Sequence, residues 1–238
     1  MKNLQEQEEK ESLQIEQSIY TSPIHRRSFL QFAGAGAAGM ALIAAGCKKD
    51  SNFNPMDGGV TLNFKDDLGI LNYAYALEQL EAAFYIQVVK TPYSGIPANE
   101  MALLTDIRDH EVAHREFFKN ALATAAIPGL EVNFSKIDFS SRDSVLGTAK
   151  AFEDLGVSAY NGAGKLIKSA DYLTLAGKIV SVEARHAALI RDLIANGSFA
   201  DNTVVKANGL DTSRAPGEVL AIASGFIKTK IQVINLPS

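Results

Sequence analysis

Residues 109–118 read DHEVAHREFF, and residues 181–190 read SVEARHAALI. Both stretches have the apolar spacing of a helix, and each places a glutamate three residues before a histidine, in the pairs Glu111/His114 and Glu183/His186. Side chains three residues apart project from the same face of a helix. Each stretch therefore presents a carboxylate beside an imidazole, and the two stretches predict two helices that carry metal-ligand pairs.

Two further helical stretches carry a glutamate followed seven residues later by a tyrosine. They are EQLEAAFY at residues 78–85 and EDLGVSAY at residues 153–160. Along the chain the order is Glu, Glu-x-x-His, Glu, Glu-x-x-His, so the two halves repeat. Four inward carboxylates and two imidazoles are the ligand set of a carboxylate-bridged dinuclear metal site in a four-helix bundle. The predicted ligands are Glu78, Glu111, His114, Glu153, Glu183 and His186.

The ligand types indicate which metals such a site would hold. Four glutamates carry four negative charges, which two divalent ions would neutralise. Carboxylate oxygen with imidazole nitrogen suits iron or manganese better than zinc or copper. The cofactor prediction is therefore two divalent ions, Fe or Mn, with Glu111 and Glu183 as bridging ligands and Glu78 and Glu153 as terminal ligands.

Several alternatives stay open at this stage. Any one glutamate of a long helix is commonly solvated, but the pattern recurs on four helices among apolar neighbours. Glu81 lies one turn after Glu78 and could replace it as a ligand. His110 points about 100° away from its neighbour Glu111, which favours a place beside the ligands or on the surface. Tyr85 and Tyr160 are interpreted as core aromatics with satisfied hydroxyls, or as hydrogen-bond or electron donors to the site.

The pattern predicts an all-α fold. Four helices are expected over about residues 66–89, 98–124, 141–169 and 171–196, with Asn63 or Asp66 capping the first and Ser141 or Asp143 capping the third. Short links make antiparallel hairpins of helices 1–2 and 3–4, and a longer connection between helices 2 and 3 must cross the bundle. A short helix is expected near residues 216–227.

The N-terminal segment predicts export. Arg26-Arg27 precedes an uncharged Ala/Gly-rich run that ends at Cys47, the one cysteine of the chain. This pattern is similar to a twin-arginine signal with a lipoprotein processing site, where the cysteine is lipidated. Twin-arginine export carries folded proteins. The alternative is an uncleaved membrane helix, for which the run is short. The predicted domains are a signal over 1–47, a tether over 48–61, a four-helix domain over 62–197 and a tail over 198–238.

Composition excludes other classes of protein. The net charge of the 238 residues is −4, and no arginine-rich run suggests nucleic acid. A single cysteine excludes a disulfide framework and a thiolate metal site. The oligomeric state is left open, with a homo-oligomer as one option.

The segments LEQLEAAFY, RDHEVAHREFF and SVEARHAALIRDL resemble the ferritin-like domain family, including its desiccation-related proteins, and more distantly bacterioferritin and rubrerythrin. The resemblance implies a ferritin-like antiparallel bundle with one long crossover and a dinuclear iron or manganese centre at the six residues named above. It also implies Fe(II) oxidation or peroxide removal, with O2 or H2O2 as the small-molecule partner, in the manner of a ferroxidase, peroxidase or catalase. The alternative is a non-catalytic envelope protein with a structural or vestigial metal site and a stress or desiccation role. The expected location is the bacterial cell envelope, either periplasmic or held at the membrane by lipidated Cys47.

Overall fold

A computed structural model describes residues 59–237 of the chain. Its main elements are the four long helices α1 (Asp67–Lys90), α2 (Ala98–Leu122), α3 (Arg142–Gly164) and α4 (Ala170–Ile194). A short helix α5 (Pro216–Ala223) and two strands, β1 (Val60–Asn63) and β2 (Ile231–Ile234), complete the order along the chain. The signal, the membrane-helix alternative and Cys47 lie outside the described residues. Within these residues, no helix is long and apolar enough to span a membrane.

The four long helices form two hairpins. Helix α1 packs on α2, α3 packs on α4, and α1 also contacts α3. The links at residues 91–97 and 165–169 are short, whereas the connection between α2 and α3 runs from residue 123 to residue 141. This arrangement confirms the predicted all-α bundle with one long crossover.

Helix ends follow local hydrogen bonding. Asp66 caps α1 by accepting from the Gly69 amide, and Ser141 caps α3 by accepting from the Ser144 amide. Helix α3 ends at Gly164 rather than near residue 169, because Ser169 is already the N-cap of α4. The Asp67 carboxylate accepts from the amides of Lys168 and Ser169 and fixes this turn from α1.

Helix α1 is the centre of the domain. Every residue from Gly69 to Ala82 is buried, so this part of the helix has no solvated face. Part of its cover is the crossover, whose backbone is held by buried amide side chains of α1. The Asn72 carboxamide bonds the Ala125 carbonyl and the Ile127 amide, and the Gln79 carbonyl accepts from the Leu130 amide.

The tail completes the fold. Strand β2 pairs in parallel with β1, in the register Val60↔Ile231 to Asn63↔Ile234. Strand β1 therefore starts inside the segment predicted as a tether. Val219 and Ala223 of α5 are fully buried, so the tail shares the domain's core. The close packing shows at Gly162, where an added Cβ would lie 1.7 Å from the Arg214 carbonyl oxygen.

Candidate metal centre

The structure brings all six predicted ligands together in the middle of the bundle. Each long helix contributes, and the four glutamates have no exposed area. His114 and His186 are also buried, with 8% and 4% of their surface exposed. The residues fall into two groups, each with one ligand atom per residue and all four atoms within 4.8 Å of one another: Glu78, Glu111, His114 and Glu183, and Glu111, Glu153, Glu183 and His186.

Glu111 and Glu183 belong to both groups. A residue shared by two adjacent positions can offer one carboxylate oxygen to each of them. Glu78 and Glu153 each belong to a single group, together with the histidine of their own hairpin. This division has the form expected for two bridging and two terminal carboxylates.

The histidines follow an approximate two-fold symmetry. The His114 Nδ1 atom lies 2.9 Å from Glu183 Oε1 and 3.4 Å from Glu78 Oε2. The His186 Nδ1 atom lies 2.9 Å from Glu111 Oε1 and 3.5 Å from Glu153 Oε2. Each imidazole thus faces one carboxylate of its own hairpin and one of the other.

Two tyrosines join the hairpins with the same symmetry. The Tyr85 hydroxyl on α1 donates to Glu153 Oε1 on α3 at 2.5 Å. The Tyr160 hydroxyl on α3 donates to Glu78 Oε1 on α1. Glu78 and Glu153 therefore each have one oxygen bonded to a tyrosine and one oxygen free of it.

The buried atoms without hydrogen-bond partners test whether a metal pair fits. Buried polar atoms are nearly always paired, because an unpaired one costs about 1–3 kcal/mol. Within residues 59–237, eight atoms of this cluster are buried and make no hydrogen bond of good geometry, although the imidazole nitrogens lie 2.9–3.5 Å from carboxylate oxygens. They are Glu78 Oε2, Glu153 Oε2, both Oε atoms of Glu111 and Glu183, and the Nδ1 atoms of His114 and His186. All eight belong to metal-ligand groups and converge on one place, so the donor set fits two metal ions.

Burial and mutual repulsion determine the protonation of the metal-free cluster. Burial raises the pKa of Glu111 well above its usual range, and the neighbouring Glu183 charge adds to this shift. Burial and the charge of Glu78 raise the pKa of Glu183 to about 7. Burial opposes the charged form of His114, but the carboxylates of Glu78 and Glu183 outweigh it and raise the pKa of His114 to about 11. Without metal, the cluster would therefore hold protons that bound cations would displace.

His110 lies both beside a predicted ligand and at the surface, the two places that the sequence left open for it. It is exposed, and its ring lies side by side with that of His186, with a 7° angle between the ring planes. The His110 Nδ1 atom lies 3.0 Å from His186 Nε2. Burial and the neighbouring His186 lower the pKa of His110. The sequence does not reveal this contact, because it depends on how α2 and α4 pack.

Comparison with known protein families agrees with this geometry. Residues 66–196 match the family model described as a ferritin-like domain. The chain belongs to the ferritin-like domain family. The family match covers the four long helices and all six clustered residues. A second match, over residues 23–42, is to the signal sequence of the twin-arginine translocation pathway, so this ferritin-like protein carries a signal for export across the cytoplasmic membrane. The comparison with curated proteins found no match.

Proposed function

We propose that the chain binds two iron or manganese ions and acts as an exported oxidoreductase that oxidises Fe(II) or removes peroxide. The observation that carries the proposal is the convergence of eight buried ligand atoms without hydrogen bonds in two groups that share Glu111 and Glu183. Without metal, only protons and the contacts between the histidines and the carboxylates would compensate these buried groups. Four glutamate charges match the charge of two divalent ions.

The number of protein ligand atoms bears on whether the site would be catalytic. Glu78 and His114 would hold one ion, Glu153 and His186 the other, and Glu111 and Glu183 would serve both. Iron and manganese accept more than four ligands, so the protein atoms would leave positions for a small substrate. Open positions favour the catalytic interpretation over a structural site, which protein ligands would close. When bound, the metal pair would supply the redox chemistry toward O2 or H2O2.

Residues around the ligands would keep this arrangement fixed. The tyrosine bonds hold one oxygen of Glu78 and of Glu153, which leaves one oxygen of each for a metal ion. A metal-bound Nδ1 atom on His186 leaves Nε2 protonated, and His110 Nδ1 is in place to accept that proton in a hydrogen bond. This contact would fix the tautomer and the orientation of His186.

Metal content and turnover test the proposal. The full-length chain, purified without chelators, should contain close to two Fe or Mn ions, and a chelator-treated sample should recover two on anaerobic addition of Fe(II) or Mn(II). Glu111→Ala removes a ligand of both positions and should abolish dinuclear binding. Glu116→Ala changes a half-exposed glutamate of the same helix and should bind two ions as before. No uptake by the wild type, or two ions in Glu111→Ala, would contradict the ligand assignment.

Activity assays separate the enzyme from a structural metal site. The loaded protein is mixed with excess Fe(II) and O2, and separately with H2O2, and the consumption of each substrate is followed. Multiple turnovers that Glu111→Ala loses and Glu116→Ala keeps would support the oxidoreductase. A loaded protein that turns over neither substrate would favour the non-catalytic role in stress or desiccation.

We further propose that Cys47 is lipidated and holds the domain at a membrane of the cell envelope. Residues 48–59 between Cys47 and the first strand would span at most about 40 Å when extended. The bundle would then stand close to the lipid surface. Cys47→Ser should abolish incorporation of a labelled fatty acid and move the protein from the membrane fraction to the soluble fraction. A wild-type protein without label would contradict the anchor and leave the export signal unaffected.

A further inference from the structure

Glu81 is a fifth carboxylate near the cluster. It lies on α1, one turn after Glu78, and only 4% of its surface is exposed. Within residues 59–237 no hydrogen bond or ion pair to its carboxylate is found, although its oxygens, unlike those of Glu111 and Glu183, are not among the fully buried atoms without a partner. A carboxylate that is buried in this way is costly unless a cation or a proton compensates it. Neither four-residue ligand group includes Glu81.

Glu81 has no glutamate as its counterpart in the two-fold symmetry of the site. The two-fold relation matches Glu78 with Glu153 and Tyr85 with Tyr160, and it matches Glu81 with Gly156. A Cβ added to Gly156 would lie 2.9 Å from Glu81 Oε1. The Glu81 carboxylate therefore reaches from α1 to the backbone of α3 and occupies the space that a side chain at residue 156 would take.

This placement brings Glu81 near Glu183, which both ligand groups share. Glu183 Oε1 lies 2.9 Å from His114 Nδ1 in the group of Glu78 and His114. Its other oxygen, Oε2, would lie 3.5 Å from the same added Cβ of Gly156 on α3. Glu81 Oε1 and Glu183 Oε2 thus border one place, one turn along α3 from Glu153.

We propose that Glu81 is an additional ligand of the position formed by Glu153 and His186, and that it makes the two metal positions unequal. This inference rests on the proposed dinuclear centre. Six residues supply the two positions equally, and Glu81 adds one oxygen and one negative charge to one side. The position with Glu81 binds a divalent ion more tightly and fills first.

Calorimetric titration with Mn(II) tests the inequality. The chelator-treated, full-length wild type should take up two ions in two resolved steps. Glu81→Gln keeps the shape of the side chain and removes its charge, so it should weaken the tighter step by about 10–100-fold. The weaker step should change by less than about threefold, because the other position keeps its four ligand atoms. Glu116→Gln is the matched control and should leave both steps unchanged.

The melting temperatures of the metal-free and the Mn(II)-loaded protein show whether Glu81 is a metal ligand or only a packing residue. Glu81→Gln removes a buried carboxylate from among four others, so the melting temperature of the metal-free protein should stay the same or rise. The increase of the melting temperature on adding Mn(II) should become smaller. A packing role would instead lower the melting temperature of both forms and leave the Mn(II) affinities unchanged, and this result would overturn the inference.

Gly156→Ala provides a second perturbation that keeps the carboxylate. The new methyl group would contact Glu81 Oε1 at 2.9 Å, and the flexible side chain would have to move away. The tighter Mn(II) step should weaken as it does in Glu81→Gln. Equal weakening of both steps, or unchanged binding in both variants, would refute the role of Glu81. A wild type that takes up no Mn(II) would refute the dinuclear centre itself.

Discussion

Glu183→Gln should flatten the pH dependence of the stability of the metal-free protein. Burial and the charge of Glu78 raise the pKa of Glu183 from 4.5 to about 7. A carboxyl whose pKa is raised by folding contributes stability that is fully present below the unfolded pKa and is lost as the pH rises through the folded pKa. The wild type should therefore lose stability between about pH 5 and pH 8.

The size of the loss of stability follows from the shift of the Glu183 pKa. For a pKa of 4.5 in the unfolded chain and about 7 in the folded chain, linkage gives a decrease of about 2.5 kcal/mol in the free energy of unfolding between pH 5 and pH 8. Burial also raises the pKa of Glu111 and of Glu81, and the raised pKa of His114 acts with the same sign. The wild-type decrease should thus exceed the contribution of Glu183 alone.

Urea unfolding of the chelator-treated, full-length chain at the two pH values measures this difference. In Glu183→Gln the decrease should be smaller than in the wild type by about 2.5 kcal/mol or more, since His114 also loses a charged neighbour. Glu116→Gln makes the same chemical change at a half-exposed residue of α2 and should keep the wild-type decrease. A wild type that is equally stable or more stable at pH 8, or a Glu183→Gln protein with the full decrease, would refute the reasoning.

Further predictions concern the supporting contacts. Tyr85→Phe removes the hydrogen bond to a terminal glutamate and should weaken one Mn(II) binding step by about 10–100-fold in calorimetry, whereas unchanged affinity would reduce the tyrosine to a core aromatic. Gly69→Ala should lower the free energy of unfolding in urea by at least about 2 kcal/mol, because the new Cβ would lie 1.6 Å from the backbone oxygen of Asn63. Gly147→Ala has open space around it and should raise the free energy of unfolding by up to about 1 kcal/mol, because alanine favours the helix. Arg191→Ala should cost about 3–5 kcal/mol by leaving the largely buried Asp154 without its bidentate partner, and a cost below 1 kcal/mol would contradict this.

Much of the fold and of the candidate site could be predicted from the sequence because the signals are local. The i and i+3 spacing of Glu111 and His114 is a property of a single helix, and so is the distance from Glu78 to Tyr85. The Asp66 and Ser141 caps lie within one turn of the residues that they cap. Repetition of these local signals on four helices was sufficient to predict that the six residues lie together in the bundle.

The remaining features depend on packing between distant residues. Strands β1 and β2 are four residues long and come from opposite ends of the described chain, so neither has a recognisable pattern of its own. The early end of α3 depends on Asp67, about a hundred residues before it. The position of Glu81 opposite Gly156 follows from the packing of α1 on α3, which the sequence of one helix does not contain.

The parallel pairing of β1 with β2 also has a consequence for biosynthesis. Residues 231–234 leave the ribosome after all four long helices, and they pair with residues 60–63 at the start of the domain. The sheet can therefore close only after the whole bundle has been synthesised, while the twin-arginine segment is made before the bundle. The twin-arginine pathway carries folded proteins. The signal is therefore present for some time before the sheet has closed and the domain is ready for transport. If the bundle binds metal as proposed, this interval would let the ions enter it before the chain crosses the membrane.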